Sequence, residues 1–288
     1  MRKILKKLKR KITNFFAKRF KFFEKHLGLH VIPANYNSPI PLTFELDPDV
    51  FEKEYDCTGI DFNLEDQLYY LTKVFPGYRE EYTPEPNPGL SLFDAYVLYS
   101  MIREKKPAIM IEVGAGESTK ISLAALEANK KQGCPCKFYS IDPYPNEYLK
   151  KLKAENFEMI VKKIQDMDID FLKTADLLFI DSSHMCKMNS DVNCEILELI
   201  PKLKIGTIIH WHDVLIPHNY WKEWVEDSNL FWNESYMVHS FMLFNNSFKI
   251  IWAAHYMQSN HPDKISREFP FFNEKKHKLS SFWIKRVK

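Results

Sequence analysis

Residues Ala108 to Thr119 read AIMIEVGAGEST: an apolar run, a turn holding two glycines, and the start of a helix. Gly114 and Gly116 carry no Cβ, so this turn lets a nucleotide-like ligand come close to the backbone. Carboxylates stand at its edges, Glu112 just before it and Glu117 inside it. A pyrophosphate seated on the helix N-terminus would meet Glu117 head on, which makes NAD or ATP a poor fit. S-adenosyl-L-methionine has no phosphate, and its sulfonium and ammonium suit a carboxylate-edged turn.

Outward from this turn the chain alternates short apolar runs with helical spacing. Strands are predicted at Ala108–Val113, Lys137–Asp142, Phe157–Lys162, Asp176–Asp181, Gly206–Trp211, Phe248–Ala254 and Ser281–Val287. Helices are predicted at Ser91–Glu104, Ser118–Asn129, Asn146–Glu155, Asp191–Pro201 and Asn233–Asn245. Near-continuous apolar strands separated by helices imply an α/β fold, a doubly wound, mostly parallel sheet covered on both faces. The last two strands are expected as an antiparallel hairpin at the sheet edge.

Such a sheet places its ligands at the carboxyl ends of the strands, and each parallel strand here ends in polar chemistry. Asp142, a strand–helix–strand unit after the turn, is placed to take a ribose diol. Gln165 and Asp166 follow the third strand and suit an adenine edge. The fourth strand ends in Asp181 and His184, the fifth in His210, His212 and Asp213. Alternation sets His210 and His212 on one face and Trp211 on the other. His210, deeper in the strand, is expected to be structural, bonding backbone carbonyls at the strand end.

On these blocks the chain resembles class I S-adenosylmethionine-dependent methyltransferases. More narrowly, it is similar to the bacterial methyltransferase domain 24 family, often linked to sugar or surface-glycan modification. The matching text is IEVGAGEST, YSIDP, VKKIQDMD, LLFIDSSHMCKMNSDV, LIPKLKIGTIIHWHDVLIP and FWNESYMVHSFMLFNNSF, within Phe93 to Lys288. The resemblance implies a Rossmann-like sheet of seven strands in the order 3-2-1-4-5-7-6. It implies cofactor contacts at Glu112, Gly114, Gly116, Asp142 and Asp181. With Ser118, Thr119, Gln165 and Asp166 these make up the candidate cofactor set. Departures are Ser118 for a third glycine, Asn189 for a glycine before SDV, Trp221 for a proline, and Ser235 in NESY; the last three fall on the acceptor side.

Methyl transfer to an aliphatic hydroxyl needs near-attack positioning and a base or Lewis acid for the proton. The catalytic candidates are His212, His184 and Asp213, with Asp213 orienting an imidazole that titrates near neutrality. A divalent metal on Asp181, Asp213 and His212 is the alternative; the histidine suits manganese better than magnesium. Asn233 and Glu234 either meet the acceptor or cap their helix, while Met237, Phe241 and Met242 read as core. Two other functions compete with a methyltransferase: a non-catalytic protein that binds the same donor, and an NAD-dependent oxidoreductase.

Charge divides the chain. Residues 1–27 hold eleven Lys/Arg against Glu24 alone, a net of +10, whereas the remainder carries −8. Leu5, Leu8, Ile12, Phe15 and Phe22 recur at helical spacing there, as an interfacial helix on anionic lipid would require. The acidic body disfavours nucleic acid. Residues 28–90, rich in proline and aromatics, are expected as a cap or lid, and 91–288 as the sheet domain. Five cysteines at no framework spacing read as free thiols. No apolar run reaches the length of a membrane span, and Ile12–Ala17 is too short for a signal-peptide core. The expectation is a cytoplasmic protein, peripheral on the inner face of the membrane, acting on a small-molecule or glycan acceptor.

Overall fold

Apolar runs with scarcely a polar interior position form the strands, because burial on both faces leaves no side of them for water. The computed structural model describes residues 2–274 and 276–288. Its strands are β1 (Ile109–Val113), β2 (Lys137–Ile141), β3 (Phe157–Ile160), β4 (Leu177–Ile180), β5 (Ile208–Trp211), β6 (Phe248–Ala253) and β7 (Phe282–Arg286). They make one seven-stranded sheet in the order β3-β2-β1-β4-β5-β7-β6. The first five are parallel, and β7 lies antiparallel between β5 and β6. This is the doubly wound sheet and strand order the sequence implied. Each strand is shorter than its predicted span; Asp176, for example, lies outside β4 and uses its carboxylate to accept from the backbone of Ala108 and Ile109 (3.0 and 2.8 Å).

The chain divides into two compact units, one of residues up to Lys53 with Tyr220–Phe231, the other of Glu54–Asn219 with Trp232–Lys288. In the first, the predicted single helix is two, α1 (Arg2–Ala17) and α2 (Phe20–Leu27), with a turn at Lys18–Arg19 and a left-handed Gly28 closing the second. Ile4, Leu5, Leu8, Ile12 and Phe15 are all exposed.

In the second unit, α3 (Leu64–Tyr69) widens into a π-type turn and reaches Tyr78. Its Gln67, fully buried, donates to Phe62 O (2.6 Å) and accepts from Ala253 N (2.8 Å), pinning this segment to the end of β6. Helix α4 (Leu92–Lys105) is buried from Phe93 to Arg103, and α5 (Glu117–Lys131) packs beside it. Both cover the sheet face that carries Met110, Phe138, Phe179 and Trp283. The opposite face carries Ile111, Leu178, Ile209 and Trp211. After α6 (Glu147–Lys151) and α7 (Ile169–Leu172), α8 (Asp191–Asn193) starts on Ser190 and continues as a π-type turn to Leu199. Its Leu199 and Val192 pack on that second face. Fully burying one side chain such as Leu178 or Phe179 contributes roughly 1.5–3 kcal/mol, so the two sheet faces dominate the fold's stability.

Beyond α9 (Lys222–Glu226), which belongs to the first unit, α10 (Glu234–Met242) packs Val238 and Met242 into the second-face core. The expected hairpin is corrected here. β6 and β7 do pair antiparallel, but α11 (Ala254–Asn260) and α12 (Pro262–Glu268) stand between them in the chain.

Candidate active site

The turn after β1 bends at Gly114 with φ +85°, and a Cβ there would lie 1.8 Å from the carbonyl oxygen of Asp181. Gly114 is therefore required by the close passage of the β1 and β4 ends. Gly116 faces open space within 4 Å. Asp142, at the end of β2, accepts from Ala115 N (3.0 Å) and Tyr144 N (2.6 Å). Gly116 N donates to Thr119 Oγ1 (3.2 Å).

Glu112 lies beneath this turn rather than on its edge. Its carboxylate accepts from Ser118 Oγ (2.8 Å), Thr119 Oγ1 (2.7 Å) and Ser140 Oγ (2.6 Å), and none of it is exposed. Burial pushes its carboxyl up to about 7 despite those three donors. Three of the expected cofactor residues, Glu112, Ser118 and Thr119, thus form one sealed network that shapes the turn from below. Glu117 is bonded through both oxygens to Lys120 (2.8 and 3.0 Å), which offsets the charge the sequence argument set against phosphate.

Above the strand ends opens a cavity of about 390 Å³, lined among others by Gly114, Asp142, Tyr144, Gln165, Asp181 and Asn189. Gln165 Nε2 donates to Asn189 O (2.9 Å), while its Oε1 is buried without a partner. Asp166 is exposed and lies outside this lining. Tyr144 was not anticipated, and Asn189, expected on the acceptor side, lines this cavity. Tyr144 follows Asp142 by two positions, and Asn189 adopts φ +58°, both traceable in hindsight to the turn text around them.

Beside the cavity lies a cluster of imidazoles and carboxylates. His184 Nε2 stands 3.3 Å from Asp181 Oδ1 and 3.5 Å from Asp213 Oδ2, and its Nδ1 meets Glu234 Oε2 at 2.8 Å. His212 Nδ1 pairs with Asp213 Oδ1 (3.0 Å), which also accepts from Ser280 Oγ (2.9 Å). His212 Nε2 is buried and unpartnered. Both His184 and Asp213 hold left-handed backbone, φ +56° and +59°. Such strain costs of order 1–3 kcal/mol per residue and collects where function over-determines geometry.

The expected near-neutral imidazole is not what the cluster provides. Burial alone would push His212 down, but the adjoining Asp213 carboxylate outweighs it and holds the ring up at about 10. Burial opposes charge on His184 too, and Asp181, Glu234 and Asp213 together hold it well above its ordinary value. Both rings therefore favour the imidazolium form. Deeper still, Glu195 is fully buried; burial, with Glu234 and Asp191 near it, holds its carboxyl well above the usual carboxylate range.

Other expected residues fall as follows. His210 is a core residue, stacked on Phe179 (4.2 Å) and against Trp283 (4.5 Å), with burial pushing its imidazole down. Met242 is buried, and Met237 and Phe241 pack against the same core. Asn233 Oδ1 accepts from Cys186 N (2.6 Å), and neither Asn233 nor Glu234 offers its side chain as a cap to α10. Among the described residues, one group of acids and histidines has metal-site spacing: Asp181, His212 and Asp213, each offering an atom within 4.8 Å of the others.

Residues 111–214, from within β1 to just past Asp213, match the family model described as a methyltransferase domain. No curated protein matches the sequence. Among solved structures, the chain is similar to the O-methyltransferase TomG from Streptomyces achromogenes, solved with SAM (12% identity over 79% of this chain and 97% of that one, TM-score 0.43). It is similar also to the Podospora anserina methyltransferase PaMTH1 (13% identity, 90% and 100% coverage, TM-score 0.43). An O-methyltransferase from Bacillus cereus stands at 11% identity, 79% and 98% coverage, and a TM-score of 0.41.

Proposed function

We propose that this chain is a class I S-adenosylmethionine-dependent methyltransferase, on the match of residues 111–214 to the methyltransferase-domain model, and that it O-methylates a hydroxyl of a sugar or glycan-linked acceptor. One observation carries the reading: Asp181 lines the strand-end cavity and also stands against His184 Nε2 at 3.3 Å, so donor site and imidazole cluster adjoin.

In this reading Asp142 takes the ribose diol, and Gln165, which lines the cavity, meets the adenine edge. Asp181 faces the cationic end of the donor. The acceptor oxygen then bonds the methyl carbon as the sulfur–carbon bond breaks, yielding an ether and S-adenosylhomocysteine, while the hydroxyl proton leaves to a base. We assign that base to His184, whose Nε2 is turned toward the cavity-lining carboxylate, with the His212–Asp213 pair beside it. A cationic donor arriving next to Asp181 opposes the imidazolium charge and favours the neutral ring the step requires.

Asp181, His212 and Asp213 also suit a divalent cation. One ligand atom of each lies within 4.8 Å of the others, and this mixed nitrogen and oxygen set fits manganese better than magnesium. When bound, such an ion supplies Lewis acidity toward the acceptor oxygen.

Residues 91–288 form the catalytic domain in this reading, 28–90 a cap segment, and 1–27 an anchor on an anionic membrane inside the cell. The exposed apolar residues of α1, set among lysines, support the anchor. No described helix is long and apolar enough to cross a membrane. Calorimetric titration with S-adenosylmethionine, S-adenosylhomocysteine and NAD, followed by a panel of sugar and glycolipid acceptors, tests the proposal. Micromolar binding of the first two, none of NAD, and methylated product are expected; a chain that ignores the donor and grips NAD overturns it.

A further inference from the structure

His184 is held from more directions than a strand-end residue needs, and nearly all the holding comes from one short stretch. The backbone N–H groups of Asn233 and Glu234 both donate to His184 O (3.1 and 3.2 Å). The Trp232 ring lies against the imidazole, with centroids 4.3 Å apart. Glu234 Oε2 meets Nδ1 at 2.8 Å, and the Glu234 side chain is 1% exposed. Three consecutive residues at the start of α10 therefore fix both the backbone and the ring of His184.

Glu234 is accordingly not an acceptor contact, and it does not cap its helix. An imidazole has two nitrogens, and the hydrogen bond made by one decides what the other can do. The Glu234 carboxylate on Nδ1 holds that edge of the ring and turns the opposite edge, Nε2, toward Asp181 and Asp213. Ring rotation would exchange the two edges, and the Trp232 contact together with the paired backbone bonds opposes it.

We propose that Glu234 is a positioning residue for the methyl-transfer step: it holds Nδ1 of His184 and so keeps the Nε2 edge turned toward Asp181 and the donor cavity. The inference rests on the assignment of His184 as the base. It also makes α10 the element through which the acceptor side of the domain sets the geometry of that base. The second carboxylate oxygen, Glu234 Oε1, is buried without a partner, so the His184 bond is the contact that orients the group.

The test uses the full-length protein with isotope-labelled histidine. In the free wild-type chain, nuclear magnetic resonance should show the Nδ1–H proton of His184 strongly downfield. Its loss in His184→Gln assigns it. It should vanish in Glu234→Gln and persist in Glu234→Asp. With the acceptor found by the panel above, Glu234→Gln should lower kcat roughly ten- to a hundredfold, as loss of an orienting partner typically does, with KM for S-adenosylmethionine within about twofold of wild type. Glu234→Asp should recover part of that turnover. A downfield proton that survives Glu234→Gln overturns the proposal, and so does an unchanged kcat. Should no acceptor emerge, the proposed reaction fails on its own test, and the ring signal still decides this one.

Discussion

Asp142 Oδ2 accepts the backbone N–H of Ala115 at 3.0 Å, so the glycine turn after β1 is tied to the end of β2 by a side chain of the protein itself. The neighbouring Gly116 N–H is likewise spent, on Thr119 Oγ1. Anion sites at helix N-termini work through free N–H groups, and here two of them already have internal partners. This bonding carries the argument against a phosphate-bearing cofactor better than Glu117 does, since Lys120 offsets Glu117.

The same carboxylate is the one assigned to the ribose. Asp142→Ala should weaken S-adenosylmethionine binding about ten- to a hundredfold, the loss of about 1.5–3 kcal/mol that charged hydrogen bonds supply. Thermal unfolding should change little, because the residue is only half-buried. Calorimetry showing wild-type affinity would remove the ribose assignment.

The two glycines of the turn should separate by experiment. At Gly114 a Cβ would collide with the Asp181 carbonyl, and φ is +85°, so Gly114→Ala should destabilise the domain by on the order of 3 kcal/mol or more. Gly116 has open space around it, so Gly116→Ala should leave the melting temperature nearly unchanged. If the donor approaches the backbone there, its affinity falls all the same. Equal melting temperatures for the two variants would contradict this account of the turn.

Glu112 supplies a pH signature. Burial raises its carboxyl from 4.5 unfolded to about 7 folded, so the folded state holds the proton more tightly. Its contribution is most favourable below about pH 4.5, declines as pH rises toward 7, and leaves a penalty of about 3 kcal/mol above that. Glu112→Gln removes the titration. The stability of the variant relative to wild type should therefore climb between about pH 4.5 and 7, read from denaturant midpoints. A flat difference across that window would show that the buried carboxyl does not titrate there.

What could be read from the sequence follows from which interactions are local. Strand positions were legible because apolar runs such as LLFI at 177–180 are buried on both faces, and a strand end such as Asp181 is polar for the same topological reason. Glu112 was misread as an edge residue because its partners Ser118, Thr119 and Ser140 come from α5 and β2, a convergence no spacing rule reveals. The charge state of His184 and His212 likewise depends on carboxylates from β4, β5 and α10 meeting in space. Helices α11 and α12 went unseen because AHYMQSN and PDKISRE carry too few apolar residues to show a period. The break at Lys18–Arg19 was hidden because lysines and phenylalanines continue across it in one pattern.

That pattern yields the last prediction. Along α1 the exposed Ile4, Leu5, Leu8, Ile12 and Phe15 need an apolar surrounding, and the lysines between them need anionic groups. A bilayer surface rich in anionic lipid supplies both at once, each basic residue near it contributing about 1 kcal/mol. The full-length protein should therefore sediment with phosphatidylglycerol vesicles, weakly with phosphatidylcholine vesicles, and less as salt rises. Deleting residues 2–25 should abolish sedimentation and leave S-adenosylmethionine affinity intact. Lys7→Glu with Lys11→Glu tests the charge, and Phe15→Ser with Phe22→Ser tests the apolar side; each pair should weaken binding at least tenfold. If only the charge reversal matters, the segment is a polybasic tether whose phenylalanines stay out of the lipid. If neither pair matters, α1 serves a protein partner and the anchor reading is wrong.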